Sequence, residues 1–308
     1  MMKAGLIGLV FLVDTMLCLY AESPSQALPS IPAPFNDDVY WKPVLQAKPR
    51  RLHALLNFDF TNQYLTPRGT NVENQGLVTQ PLCMLYWDVC SHEHGPLSQI
   101  TLASGVWNSW HTHSTGTNPR RWNECDLIEG ITVTLANKWK HAFFYTRYFS
   151  QTNSYPNGWN LNYALTYDDT AHLGRLALHP FVQCFYDKRS DRGGAASSSD
   201  QKYYFQLGID PGLQFLSVPV RLDFPLFLTY FPHGKKDSGG VGICSATIKA
   251  SMPLNVASSA FGKWTVYAAV QYCHIKNTGL LNTNQFAGAT SERQQDFVLF
   301  HTGFSVYF

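Results

Sequence analysis

The segment from Asp296 to Phe308 alternates so regularly that it constrains the fold of the whole chain. Its even-numbered side chains are Val298, Phe300, Thr302, Phe304, Val306 and Phe308. A strand that crosses lipid turns every second side chain to hydrocarbon and finds partner strands for all of its backbone groups. This pattern predicts the closing strand of a membrane-spanning barrel, although a strand of a soluble sandwich can alternate in the same way.

The same period of two recurs upstream, for example over 52–61 and again over 159–168. The chain contains about twelve such segments, including the last strand, and turn signals separate them. An even number of strands brings both ends of the chain to the same side of a barrel. Two of them, 176–187 and 218–230, contain prolines, which remove ladder hydrogen bonds. The chain is therefore predicted to be all-β, a transmembrane antiparallel up-and-down β-barrel of about twelve strands.

The first residues carry the pattern of a secretion signal. Lys3 precedes an apolar run that Asp14 interrupts and that resumes up to Ala21, a plausible cleavage point. The predicted organisation is a cleaved signal peptide over 1–21, a Pro-rich periplasmic segment over 22–51 and an outer-membrane β-barrel over 52–308. The predicted location is therefore the outer membrane of a Gram-negative bacterium.

Composition agrees with strands that alternate between lipid and water. Charged and aromatic residues each make up 14% of the chain, and no segment after the signal is apolar for long enough to form a spanning helix. The net charge of +2 gives no reason to expect nucleic acid as a partner. The expected partners are outer-membrane lipids and the barrel-assembly machinery, which would recognise the strand ending in Phe308.

The connections between the predicted strands alternate in length. Longer polar connections such as 188–201 and 277–291 follow the odd strands, and shorter ones such as 91–96 and 136–140 follow the even strands. Outer-membrane barrels have long external loops and short periplasmic turns. This asymmetry predicts that both ends of the chain lie in the periplasm.

The cysteines fall where disulfides are not expected. Cys18 lies in the signal segment, and Cys83, Cys125, Cys184 and Cys244 each fall on the apolar face of a different predicted strand. On such a face a thiol behaves as a small hydrophobic group. These positions favour reduced cysteines that face lipid or pack, over the disulfides that an exported protein could form.

The predicted inner face carries charges of both signs. On one interpretation they line a water-filled pore and set its electric field, and on the other they pair across a narrow lumen and close it. A barrel of about twelve strands is intermediate between filled barrels and wide porins, so its size does not decide between the two. The candidate pore-lining residues are Asp59, Glu124, Asp126, Arg147, Asp168, Asp187, Lys202, Arg221, Asp223, Lys249 and Lys263.

Two histidine clusters and one serine are the candidates for chemistry. The segments 92–94 and 111–113 each offer two histidines at a spacing of two, which is too few ligands for a zinc site, and a solvated turn or loop also accounts for them. Ser114 beside His113 invites comparison with outer-membrane phospholipase A, but neighbours on a strand point to opposite faces. No catalytic, metal or cofactor site is therefore predicted.

Aromatic residues near predicted strand ends suit the headgroup boundary, and stacking on sugars is the alternative. The tryptophans concerned are Trp87, Trp107, Trp110, Trp122, Trp139 and Trp159. Glu129 is an exception because it falls on the predicted lipid face. Either a bulge reverses the register there, or Glu129 lies near a membrane interface.

Three short motifs carry a family resemblance. They are Asn57 to Gly69 (NFDFTNQYLTPRG), Ser104 to Ser109 (SGVWNS) and Glu124-Cys-Asp126. With the strand pattern of 52–308, these motifs resemble outer-membrane porins of the TorF type and related Gram-negative barrel proteins. The resemblance implies a porin-like channel and indicates no solute.

These patterns together predict an outer-membrane channel for passive passage of small polar solutes or ions, and not an enzyme. The first alternative is a non-conducting structural or adhesive barrel whose external loops are the working surface. The second alternative is an outer-membrane lipid hydrolase.

Overall fold

The computed structural model describes residues 51–67, 69, 71–92, 95–113, 121–152, 157–189, 203–215, 219–232, 239–254, 261–276 and 294–308. The predicted signal peptide (1–21) and almost all of the Pro-rich segment (22–51) lie outside these residues, as does most of the connection 188–201.

Strands dominate the described part of the chain. They are β1 (Leu52–Thr61), β2 (Tyr64–Leu65), β3 (Asn71–Glu73), β4 (Val78–Ser91), β5 (Leu97–His111), β6 (Trp122–Leu135), β7 (Trp139–Ser150), β8 (Gly158–Tyr167), β9 (Phe181–Arg189), β10 (Tyr203–Ile209), β11 (Gly212–Gln214), β12 (Arg221–Asp223), β13 (Leu226–Phe231), β14 (Gly240–Leu254), β15 (Lys263–Ile275) and β16 (Asp296–Tyr307). A single helical turn, α1 (Thr170–Leu173), and a 3-10 turn (Gly174–Leu176) follow β8. Among the described residues, no helix is long and apolar enough to cross a membrane.

Twelve of these strands form one closed antiparallel barrel, which confirms the predicted fold. The order around the wall is β1, β4, β5, β6, β7, β8, β9, β10, β13, β14, β15 and β16. The wall closes because β16 pairs with β1, with Phe304 opposite Phe58 and Tyr307 opposite Leu55. Closure leaves no strand edge in the wall to face hydrocarbon.

Inward and outward faces alternate as predicted in the first and last strands. Asn57 and Asp59 of β1 are buried inside the barrel. Phe58 between them points outward and stacks on Phe304 of β16, with ring centroids 4.9 Å apart. In β16, Phe300 is 56% exposed on the outside, while the alternate side chains are buried inside.

Prolines explain where two predicted strands differ from the observed ones. Residues 170–176 form the helical turns, and Pro180 stands just before β9, so it removes no donor from that strand. Pro225 separates β12 from β13, but both strands pair with β14 and form one interrupted wall strand. The Pro225 carbonyl still accepts a hydrogen bond from the Thr247 amide at 2.9 Å.

The connections at the two ends of the barrel differ in length. The end that carries the connections 62–77 and 276–295 is called the external end here, following the predicted orientation. The other end, where 52 and 307 lie, is called the periplasmic end and carries the short turns 92–96 and 136–138. It also carries the longer connection 168–180, so the predicted asymmetry is incomplete.

The outer surface is apolar between two rings of tryptophan. Near the external end the ring consists of Trp110, Trp122 and Trp159, and near the periplasmic end of Trp87, Trp139 and Trp264. Exposed apolar side chains such as Leu127, Phe143 and Ile248 lie between them. The prediction for Trp107 was wrong, because this side chain is buried inside the barrel with 5% of its surface exposed.

The predicted position of four cysteines on the outer face is confirmed. Cys83, Cys125 and Cys184 are partly exposed and Cys244 is exposed, each beside inward-facing neighbours. Cys273 instead faces inward and is buried. All of the cysteines in the described residues are free thiols.

Glu129 lies on the outer face without a bulge. It stands opposite Ser104 of β5 and Tyr145 of β7, in a stretch of β6 where the register is regular. It is also central in β6, far from either tryptophan ring, so both expected explanations for its position were wrong. It lines a shallow groove of about 720 Å³ on the outer surface, whose other members include Leu102, Phe143 and Leu161.

We expect Glu129→Leu to stabilise the barrel in a bilayer by about 1 kcal/mol, because a carboxylate at mid-depth on the lipid face is unfavourable. The measurement is urea unfolding of the protein refolded into lipid vesicles. Arg147→Leu is the matched control, since Arg147 is an outward charge near the external end of β7 and should gain less. A loss of stability in Glu129→Leu would mean that Glu129 has a polar partner on this surface.

Candidate functional site in the barrel lumen

A hairpin from the first connection occupies the external half of the lumen. Strands β2 and β3 pair with each other and lie inside the barrel, so Tyr64, Val72 and Glu73 are all buried. The Tyr64 ring packs 5.7 Å from the Trp107 ring of β5. Its hydroxyl donates a hydrogen bond to Glu124 Oε2 of β6 at 3.0 Å. One side of the hairpin is therefore fixed to the wall formed by β5 and β6.

The next residue of the hairpin contacts the opposite wall. Leu65 packs against a group of inward-facing residues from β9, β10 and β13–β16, which we call the far-wall cluster. Its members are Phe185, Tyr204, Phe231, Ile243, Cys273, Ile275, Phe297 and Leu299. Since Tyr64 and Leu65 reach opposite walls, the hairpin crosses the lumen from side to side.

A second apolar group lies on the other side of the lumen, and we call it the near-wall cluster. Its members are Leu55, Tyr64, Val72, Val78, Leu82, Met84, Tyr86, Ala103, Trp107, Ile128, Ala142, Phe144 and Ala164, with Tyr307 packed against them. Tyr64 and Val72 come from the hairpin, and the other buried members come from β1 and β4–β8. Apolar packing therefore fills much of the lumen on both sides of the hairpin.

Glu73 joins the hairpin to the wall through a buried chain of polar contacts. Its Oε2 lies 3.5 Å from Nδ1 of His111, and Nε2 of His111 lies 2.9 Å from Oγ of Ser109. Glu73 Oε1 also accepts the backbone N–H groups of Asn74 and Gln75 at 3.1 Å. A buried carboxylate needs such donors to offset the loss of water. The contacts of Glu73 and Tyr64 therefore hold both strands of the hairpin to the wall.

Asp59 has a hydrogen-bond partner for each of its carboxylate oxygens on the wall formed by β1 and β14–β16. Its Oδ1 accepts a hydrogen bond from the Tyr267 hydroxyl at 2.8 Å, and its Oδ2 lies 2.9 Å from His301 Nδ1. Gly303 stands between Asp59 and Tyr267 in the register. A Cβ at Gly303 would meet the Tyr267 hydroxyl at 2.6 Å, so glycine lets the ring cross to Asp59. Lys249 Nζ lies 4.6 Å from the centroid of the Tyr267 ring.

Asp88 forms a second satisfied network nearer the periplasmic end. Its Oδ2 lies 3.1 Å from His53 Nε2, and its Oδ1 accepts hydrogen bonds from Thr101 and Gln99. The His53 ring stacks on Tyr307 with a centroid distance of 5.6 Å. The described residues thus place three histidine–carboxylate pairs in the lumen. Two of them join neighbouring strands, and the pair of His111 joins the hairpin to the wall.

The wall formed by β6–β8 has the opposite character. Both carboxylate oxygens of Asp126 are buried and accept no hydrogen bond from an amide, hydroxyl or cationic group, although its carboxyl group contacts that of Glu124. Thr146 Oγ1 on β7 and the side-chain oxygens of Asn160 and Asn162 on β8 are also buried and have no hydrogen-bond partner. Buried oxygens of this kind normally bind water, an ion or a donor group. This part of the lumen wall is therefore an acceptor-rich surface, which we call the acceptor wall.

Most of the charges predicted to face inward do so. The lumen-facing residues among them are Asp59, Glu124, Asp126, Asp187, Arg221, Asp223, Lys249 and Lys263. Arg221 and Asp223 pair with each other on β12, and Lys263 is partly buried at the periplasmic end. Asp59 pairs with His301 on the neighbouring strand and Asp223 pairs with Arg221 on its own strand, so neither pair crosses the lumen. That these charges line a pore stays a prediction.

The prediction for Arg147 was wrong, because it lies on the outer face. Its neighbours Thr146 and Tyr148 are buried inside, and it stands opposite Leu127 and Trp159 on the outer surface. Its guanidinium lies 5.1 Å from the centroid of the Phe149 ring. A charge near the strand end can reach the headgroup region, which makes this position tolerable.

Two further candidate pore-lining residues, Asp168 and Lys202, are not among the described residues of the lumen wall. Asp168 follows the end of β8, and its carboxylate accepts the Thr170 amide in the turn that begins α1. Lys202 lies outside the described residues, as do Ser114, Glu93 and His94. His111 was expected on an external loop, but it is the last residue of β5 and faces inward.

The turn after β8 brings Asp168, Asp169 and His179 together, with potential ligand atoms within 4.8 Å of one another. Hydrogen bonds within the turn account for this arrangement. Asp169 accepts the amides of Leu178 and His179 at 3.0–3.1 Å. Burial opposes ionisation of Asp169, but these amides, with a smaller contribution from the His179 ring, leave its pKa below the usual value.

This depressed pKa has a defined consequence for the turn. The stabilisation from ionised Asp169 is fully present above the unfolded pKa of about 4 and is lost as the pH falls through the lower folded pKa. We expect the Leu178 and His179 amides to lose protection from hydrogen exchange in that acidic range. Asp169→Asn keeps an acceptor oxygen and should show no such transition; an identical transition in this variant would assign it to another group.

The chain of Ser109, His111 and Glu73 was missed by the sequence prediction. Ser109 and His111 are two residues apart on one strand, so their shared face could have been deduced. Glu73 could not have been assigned, because it reaches His111 only through the inward fold of the hairpin. The three side chains are almost fully buried, which decides how the site can be used.

Comparison with known proteins gives structural likenesses only. No family model and no curated protein matches the chain, so membership of the TorF type is not confirmed. The COG4313 outer membrane channel from Pseudomonas putida F1 matches 85% of this chain and 97% of its own, with a TM-score of 0.45 and 11% identity. The translocator domain of the autotransporter NalP from Neisseria meningitidis matches 85% and 90%, with a TM-score of 0.41 and 12% identity.

A third solved structure is OmpT, an outer membrane protein of Vibrio cholerae. It matches 83% of this chain and 98% of its own, with a TM-score of 0.31 and 8% identity. Likenesses this weak carry no argument about function. The barrel fold rests on the strand pairing itself, and the function has to be argued from the lumen.

Proposed function

We propose that this protein is a gated outer-membrane channel for small polar solutes or ions, closed by the hairpin of β2 and β3. The observation that carries the proposal is the position of the hairpin, which crosses a lumen whose wall is rich in polar groups. The apolar outer face with its tryptophan rings suits a lipid bilayer, which is the proposed location and main partner. The assembly machinery that inserts such barrels is the second proposed partner.

The way the hairpin is held supports its role as a gate. Among the described residues, the attachments of the hairpin include the side-chain contacts of Tyr64 and Glu73 and the packing of Leu65 and Val72. The wall, by contrast, is held by continuous backbone ladders that do not involve the hairpin. The hairpin can therefore leave the lumen without breaking the barrel.

The acceptor wall supports passage of polar species once the hairpin moves. A lumen used only as a packed core would have its polar atoms paired, because unpaired buried groups are unfavourable. Asp126, Thr146 and Asn160, on three adjacent strands, instead present oxygens that accept no hydrogen bond from an amide, hydroxyl or cationic group. Water and solutes entering the lumen would meet these groups.

A lipid or ester hydrolase is the second candidate, and Ser109, His111 and Glu73 favour it. A serine, a histidine and a carboxylate in this order of contact have the arrangement of a nucleophile, a base and an orienting group. Ser109 has no exposed surface, however, so a substrate could reach it only after the hairpin moved. We therefore assign these residues to hairpin attachment in the proposed channel.

Shortening the first connection tests the gate. Thr61 and Val78 are direct partners in the β1–β4 ladder, so a two-residue Asn-Gly turn can replace 62–77. In planar bilayers we expect the shortened protein to show steady openings with a conductance several-fold larger than that of the wild type. The Tyr64→Phe, Glu73→Ala double variant should open more often than the wild type, since it loses two polar attachments of the hairpin.

The control replaces the connection 168–179 by the same Asn-Gly turn, at the opposite end of the barrel. This variant should conduct like the wild type. Equal conductance of the wild type and the variant without the hairpin would contradict the gate, and no conductance in either would contradict the channel.

Labelling with a fluorophosphonate probe separates the channel from the hydrolase. We expect no labelling of Ser109 in the folded wild type, because its hydroxyl is buried and bonded to His111. Mass spectrometry of the labelled peptide measures this, with Ser109→Ala as the matched variant. Labelling that disappears in Ser109→Ala, accompanied by esterase activity, would favour the hydrolase.

A further inference from the structure

The acceptor wall contains a cluster of oxygens that lack donors. Asp126 is fully buried on β6, and both of its carboxylate oxygens accept no hydrogen bond from an amide, hydroxyl or cationic group. Glu124 lies two residues away on the same inward face, and its carboxyl group is close enough to repel that of Asp126 and to form a hydrogen bond with it through a shared proton. No cation from the described residues forms a salt bridge with Asp126. Two buried carboxyl groups in contact need either a shared proton or a cation between them.

Neutral oxygens from two further strands border the same point. Thr146 on β7 stands directly opposite Asn160 on β8, and the hydroxyl and amide oxygens of both are buried without partners. Asp126 faces Tyr148, the next inward residue to Thr146, and is therefore diagonal to Thr146. Inward side chains of adjacent strands are about 5 Å apart when opposite and about 7 Å apart on the diagonal. The carboxylate, the hydroxyl and the amide oxygen thus lie on one inward patch that spans three adjacent strands.

The chemistry of these groups selects the ligand. All of the unpartnered atoms at this point are oxygens, and the carboxylate is acceptor-only when ionised. Hard cations such as Ca²⁺ prefer carboxylate, hydroxyl and amide oxygens, whereas softer metals favour sulfur or imidazole ligands. Anions and neutral acceptors would be repelled by the same surface.

We propose that Asp126, together with Thr146 and Asn160, forms a binding site for a hard divalent cation within the lumen, with Glu124 at its edge. The site lies directly below the hairpin, because Tyr64 donates to Glu124 and packs on Trp107, the cross-strand partner of Asp126. This cation site extends the proposed channel function. It also rests on that function, because the channel provides the route by which the ion arrives. The carboxyl groups at this point favour cations over anions in the lumen when they are ionised.

Terbium luminescence provides a test that does not depend on conduction. Tb³⁺ occupies oxygen sites for Ca²⁺, and Trp107 beside Asp126 can transfer excitation energy to it. We expect Tb³⁺ alone to give sensitised luminescence with the purified wild type at neutral pH, and Ca²⁺ to reduce it by competition. Trp107→Phe should lower the signal and leave the affinity, measured by calorimetry, unchanged.

The matched pair of variants is Asp126→Asn and Glu129→Gln. Both remove one carboxylate charge from β6, but Glu129 faces outward. The affinity for Tb³⁺ should fall by at least about tenfold in Asp126→Asn and should not change in Glu129→Gln. If Asp126→Asn does not fold, Thr146→Val should still weaken binding several-fold.

Equal titrations of the wild type and Asp126→Asn, or no sensitised luminescence from the wild type, would overturn the cation site. Either result would leave the channel proposal standing, because conductance after shortening of the hairpin is measured separately. Conversely, a barrel that binds Tb³⁺ through Asp126 but never conducts would retain the site and refute the channel.

Discussion

Backbone hydrogen bonding between β1 and β16 is the constraint on which the rest of the structure depends. An unpaired strand edge in hydrocarbon leaves its N–H and C=O groups unsatisfied, so the sheet has to close. In the closed barrel every second side chain, whether polar or apolar, points into one narrow lumen. The chemistry of that lumen then follows from how each buried polar group finds a partner.

The buried carboxylates of the lumen differ in whether neighbouring strands supply them with hydrogen-bond donors. Asp59 and Asp88 are satisfied by histidines, hydroxyls or amides from neighbouring strands, which ties those strands together. On β6–β8 the oxygens of Asp126, Thr146 and Asn160 form no such hydrogen bonds. The apolar clusters and the hairpin fill the space beside them. In the proposed channel, the wall stays intact, the hairpin acts as a removable plug, and the polar surface of β6–β8 binds the cation.

Sequence alternation predicted the strands and their faces well where one face is clearly apolar, as in β1 and β16. It failed in β7, where Phe143 and Tyr145 face outward but Phe144 and Tyr148 face inward, so that Arg147 was assigned to the wrong face. The same ambiguity placed Trp107 in a membrane ring.

The inward fold of the hairpin could not be predicted from the sequence. A polar loop that enters the lumen has the same local composition as one that extends into water, and the contacts that hold it join Glu73 and Tyr64 to distant strands. Proton–proton NOEs of the protein in lipid nanodiscs report directly on whether the hairpin crosses the lumen. We expect NOEs from Tyr64 to Trp107 and from the Leu65 methyl groups to aromatic rings of the far-wall cluster. Absence of both sets would contradict a hairpin that crosses the lumen.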